Sequence, residues 1–201
     1  MMYRTQSQSG FTLVEVLVAI TILLLVVVGP INIITQANNS STFATEQTQA
    51  FFLAQEGVEL VQKMRDELLL EYFADEFAGG SSTIEPFNEI SNSYPACFDG
   101  SGCGVTINSG EDGGVAVIDC SSGACRLYTN FGSSARSKFI HNGTSGNETP
   151  YTRVINLNLI SNGGNPEAIA VTSTVTWRTG SLIASQEVVL TSYLFDIYDT
   201  N

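Results

Sequence analysis

The sequence predicts an α+β protein. A long N-terminal helix, apolar enough in its first half to span a membrane, packs on a C-terminal antiparallel sheet, with an irregular disulfide-stapled insert between them. Three observations carry this. Residues 9–34, SGFTLVEVLVAITILLLVVVGPINII, are nearly all apolar, and as a helix about two dozen residues cross a ~30 Å hydrocarbon core. Further on, Phe51, Ala54, Val58, Val61, Met64 and Leu68 recur at three- and four-residue spacing, an apolar stripe. The last third alternates apolar and polar residues with a period of two.

The apolar run carries one acid. Glu15 stands four positions after Phe11, and a carboxylate costs roughly 2.5–3.5 kcal/mol at a bilayer centre and less near the interface. A plain anchor gains nothing from that cost, whereas a helix that later pairs its carboxylate with a cation does. Gly10-Phe11-Thr12-Leu13-Val14-Glu15 followed by the apolar run resembles the class III signal of type IV pilins and pseudopilins. The resemblance implies that a prepilin peptidase removes residues 1–10 by cutting after Gly10 on the cytoplasmic side. It implies that Phe11 then becomes an N-methylated terminus, and that Glu15 acts in assembly with other pilin subunits and the inner-membrane assembly machinery. The physics is compatible. Cleavage creates an α-amine that stays protonatable after methylation, and an incoming subunit can offer it to Glu15 of a neighbour. A lipid-anchor helix with a tolerated acid is the competing reading.

Around this motif the chain divides into a leader (1–10), a transmembrane and assembly half-helix (11–34), an amphipathic half-helix (35–77), the insert (78–150) and the sheet (151–201). The leader has Arg4 as its only cation, a weak positive-inside signal for a single pass with the C-terminal part outside. Gly29-Pro30 is expected to kink or locally melt the helix, or else to be a membrane proline supported by packing. Asn38-Asn39-Ser40-Ser41 is a second weak point, built of poor helix formers. Beyond it, Glu59 and Lys63 form an expected i,i+4 pair. Gly79-Gly80 is the expected helix stop. The segment Leu53-Ala54-Gln55-Glu56-Gly57-Val58-Glu59 resembles minor pilins of the pilus-modification type, as do Tyr151-Thr152-Arg153, Val175-Thr176-Trp177 and Thr191-Ser192-Tyr193-Leu194. An amphipathic core helix suffices to explain the first of these, and no catalytic role is inferred for its glutamates.

The insert is rich in Gly, Ser, Asn and Asp and holds all four cysteines, Cys97, Cys103, Cys120 and Cys125. On an exported segment an even count reads as two disulfides. Four cysteines allow three connectivities, and we lean to the local pairs Cys97–Cys103 and Cys120–Cys125. Zinc fits poorly, because the spacings are loose and the only histidine, His141, lies outside the window. Short strands are expected at 104–108, 115–119 and 126–129. In the sheet, strands are expected at 154–159, 169–177 and 187–194, joined by turns at 161–166 and 178–181, in a three- or four-stranded meander.

The net charge is −12, with 8 Lys and Arg against 20 Asp and Glu, and Arg126, Arg136 and Lys138 are scattered. This opposes wrapping of nucleic acid and suits a soluble exported surface. No enzyme, cofactor or metal site is expected. His141 has no nucleophile motif beside it, and residues 108–113 and 196–199 are acidic turns without EF-hand spacing. Asn39, Asn142 and Asn147 open N-x-[ST] sequons. The sequence thus points to a structural subunit of a type IV pilus, a methylated membrane precursor that becomes part of a cell-surface filament. A pseudopilin of a secretion or DNA-uptake machine, and a tethered binding or adhesion domain that never polymerises, are the alternatives.

Overall fold

The computed structural model describes residues 10–79, 86–107, 114–121, 123, 125–130, 138–141, 146–162, 165–179 and 184–196. The chain divides into two compact units, Met1–Thr45 and Glu46–Asn201.

One helix, α1 (Leu13–Phe77), runs through the division. In the first unit it is exposed at every described position up to Thr42. It is the one helix among the described residues long and apolar enough to cross a bilayer, and none of that stretch is buried. Gly29-Pro30 and Asn38-Asn39-Ser40-Ser41 both lie inside continuous helix, so neither melts it, and Pro30 follows the second expectation, a proline carried within the apolar helix. Proline removes one N–H, but the turns on either side propagate cooperatively. Threonines on either side of the second stretch bond back onto the helix, Thr35 Oγ1 donating to Ile31 O at 2.9 Å and Thr45 Oγ1 to Ser41 O at 2.9 Å. The helix ends as expected at Gly79, whose φ of +79° suits glycine and whose N–H donates to Glu76 O at 3.1 Å. Gly80 lies outside the described residues.

In the second unit α1 buries Ala50, Leu53, Ala54, Gly57, Val58, Leu60, Val61 and Met64, with Leu68 partly buried beside them. Phe51, expected on this stripe, is exposed, because it sits about 100° around the helix from Ala50. The expected Glu59–Lys63 pair gives way to two others: Lys63 pairs with Glu67, and Glu59 accepts from Gln55 Nε2 at 2.9 Å.

The sheet is larger than a meander of three or four strands. The stretch expected to be irregular supplies two helices, α2 (Pro86–Ser93) and α3 (Pro95–Phe98). The short strands expected there form as β1 (Cys103–Ile107), β2 (Val115–Asp119) and β3 (Arg126–Asn130), and β4 (Lys138–Ile140) joins them unexpected. The long strands follow as β5 (Asn147–Asn162), β6 (Asn165–Trp177) and β7 (Gln186–Phe195). All seven pair antiparallel. β6 lies between β5 and β7, and the other edge of β5 takes β1 at one place and β3 at another. β5 starts before Pro150, a residue that argues against a strand. A register shift between Arg126 and Tyr128 on β3 accommodates the irregularity.

One face of β5–β7 meets α1 and α2. The core joins Val58, Val61 and Met64 to Phe87, Ile90, Val105, Ile155, Ile169, Val171 and Leu194. Cys97 is disulfide-bonded to Cys103, and Cys120 to Cys125. The first bridge is part of the core, with both cysteines fully buried.

Candidate functional site

The processing motif is built by where α1 begins. Gly10, Phe11 and Thr12 are outside the helix, so the bond between Gly10 and Phe11 lies in non-helical backbone. Thr12 caps the helix: its Oγ1 accepts from Glu15 N at 3.3 Å, and its carbonyl accepts from Val16 N at 3.3 Å. Thr12-Leu13-Val14-Glu15 has the spacing of a capping box, a signal readable in the sequence that our sequence reading did not use. Glu15 therefore occupies the first turn, where the positive end of the helix dipole favours a carboxylate. Phe11, Glu15, Val16, Ala19, Ile20 and Leu23 share one open face, on which Phe11 is 82% exposed. The acid and the residue that would become the terminus are thus presented together on an otherwise apolar surface.

Residues 5–29 match the family model of the prokaryotic N-terminal methylation motif. The chain carries the class III signal of type IV pilins. The match covers residues 5–29, the signal segment alone, and leaves the rest of the chain unmatched. Comparisons with curated proteins and with solved structures give no match.

In the second unit Gln49, Leu53, Glu56 and Gly57 of α1 meet Tyr151 and Arg153 of β5 at one junction of helix and sheet. Arg153 on β5 is fully buried. Its Nη1 donates to Leu53 O at 3.0 Å and Glu56 Oε2 at 2.9 Å, and its Nη2 donates to Val105 O at 2.7 Å. Burial pulls the guanidinium below its usual range and the Glu56 carboxylate opposes this. Gly57 brings the helix backbone close to the sheet: a Cβ there would stand 2.6 Å from Ser173 Oγ and 3.2 Å from Arg153 Cδ. Tyr151 Oη donates to Gln49 Oε1 at 2.8 Å, and its ring packs against Trp177 at 6.3 Å. Arg153 with Leu53 O and Glu56, and Tyr151 with Gln49, thus hold α1 to the sheet. Glu56 is a counter-ion there, which accounts for it without chemistry.

His141 closes β4 and is buried rather than in an open loop. Its Nδ1 lies 3.3 Å from Arg126 O, and a Cβ on Gly104 would touch its Nε2 at 2.9 Å and Cys125 Sγ at 3.0 Å. Its pKa is drawn down to about 4, first by burial and then by the Arg153 charge. These neighbours make it a neutral core residue. The acidic turn at 108–113, the sequon at Asn142 and residues 197–199 lie outside the described residues.

Proposed function

We propose that this chain is a minor-pilin-like structural subunit of a type IV pilus. It waits in the cytoplasmic membrane with its C-terminal unit outside, is cut after Gly10 and methylated at Phe11 by a prepilin peptidase, and enters a surface filament through its apolar helix. The observation that carries the reading is a single acid, Glu15, in the first turn of an unburied apolar helix that bears the methylation motif.

Helix electrostatics give the acid its task. The new amine would stand at the positive end of the helix dipole, which disfavours a cation there. Pairing with Glu15 of a neighbouring subunit relieves that cost and neutralises a carboxylate in an apolar setting, which sets the register between helices. Minor rather than major rests on the segments around Gly57, Arg153 and Trp177. A pseudopilin of a secretion or DNA-uptake machine uses the same physics with a different client.

Glu15→Ala tests the mechanism. Cleavage after Gly10 is expected to proceed normally, while the amount of the protein in sheared filaments falls about tenfold or more, the loss of an uncompensated buried pair. Unchanged incorporation would remove the assembly role of Glu15.

A further inference from the structure

The face of β5–β7 turned away from α1 has a composition unlike the rest of the chain. Its residues meet in five rungs across β5, β6 and β7: Thr152–Thr176–Glu187, Val154–Thr174–Val189, Asn156–Thr172–Thr191, Asn158–Ala170–Tyr193 and Ile160–Ala168–Phe195. In a chain of net charge −12, Glu187 is the one charged residue among them. The middle strand contributes only Ala and Thr, so it forms the floor of a trough. Bulkier side chains wall it, with Tyr193 53% and Phe195 61% exposed and their rings stacked at 6.5 Å. Ala168 is buried beneath its neighbours, and the open floor runs from Ala170 to Thr176. On the β5 side Asn156 is engaged, its Nδ2 donating to Asp99 O at 3.3 Å. At the Thr176 end the trough opens into a polar cleft of about 500 Å³ lined by Arg126, Thr152, Arg178 and Ser185.

We infer that this trough binds a neutral polysaccharide chain lying along β6. Sugar rings offer C–H faces that stack on exposed aromatic rings, and hydroxyls that pair with Thr, Asn and Arg groups, without needing a counter-charge. Four open rungs two residues apart make a track of roughly 20 Å, and three strands make it roughly 10–15 Å wide. That area is roughly a third of the ~800 Å² per partner in a stable protein interface, so the track suits a linear polymer better than a folded partner. Between Ala170 and Thr174 its rungs carry no charge, on a strongly acidic protein, and this is the complementarity expected for an uncharged ligand.

The test uses the mature full-length protein in detergent micelles, sedimented with insoluble cellulose, chitin and starch. Retention by at least one polysaccharide is expected. Tyr193→Ala and Thr174→Arg should each weaken it about tenfold, while Phe52→Ala, an exposed aromatic change on α1, leaves it unchanged. Both trough positions are on the solvent side of the sheet, and an unaltered circular dichroism melt confirms that the variants fold. Retention by none of the three, or retention that neither trough variant weakens, overturns the proposal. So does a photocrosslinker at Tyr193 that captures a second copy of this chain in filaments, which would make the face a subunit contact. The readout does not involve filament entry, so its failure is separate from any failure of the pilus reading.

Discussion

Arg153 shows how a single buried charge organises its surroundings. It is fully buried, and its partners come from α1 and from β1. Removing Glu56 would leave the guanidinium with carbonyl partners only, and because Glu56 is partly exposed, Glu56→Ala is expected to cost about 1–2 kcal/mol of stability. Lys63→Ala, which breaks a half-exposed pair with Glu67, should cost less than about 1 kcal/mol. Urea unfolding of the two variants checks the contrast, and equal costs would mean that Arg153 is solvated by other means. His141 gives a pH prediction. Its pKa lies near 4 in the fold against 6.5 when unfolded, so the unfolded chain takes up its proton first. Stability from this residue is complete above pH 6.5 and is lost as pH falls toward 4, by about 3 kcal/mol in all. His141→Gln should flatten the fall in unfolding free energy over that window. An unchanged slope would show that carboxylates alone set it.

At the scale of elements, the Cys97–Cys103 bridge ties α3 to β1 inside the core, and Cys120–Cys125 closes the turn between β2 and β3. Each is expected to contribute about 2–4 kcal/mol. Reduction should therefore speed limited proteolysis at residues 97–125 before it affects β6 and β7, and an unchanged digest would deny the bridges a stabilising role. Gly57 sets the helix-to-sheet distance, so Gly57→Leu should cost about 2–3 kcal/mol by overpacking against Ser173 and Arg153. These elements were unequally legible in sequence. Period-two alternation in Val171, Val175 and Trp177 declares β6, because one face is buried and the other is not. The short strands β1, β2 and β3 were readable from apolar residues between turns. By contrast β4 has only Phe139 and Ile140 to mark it, and α2 announces itself only by Phe87 and Ile90 in a polar stretch. Their order comes from tertiary pairing, which local pattern does not record. The uninterrupted helix through Pro30 is the same lesson reversed, a local breaker outvoted by cooperative turns on both sides. Arg153 was visible as a letter, but its burial depends on Glu56 nearly a hundred residues away.

The whole molecule joins an apolar helix with a methylation motif to a unit whose core is closed by a buried arginine and a buried disulfide. The N-terminal motif was legible because it is local: glycine, aromatic, capping threonine and acid within six residues. The outer face of β5–β7 was not, because its rungs exist only once three strands are in register. The claim on which the account depends is that processing makes a terminus for Glu15 to meet. Its most direct test is the mass of the N-terminal peptide of this protein taken from purified surface filaments. The account predicts a chain that starts at Phe11 with a methyl group on its α-amine. A filament subunit that retains residues 1–10, or begins at any other position, contradicts it.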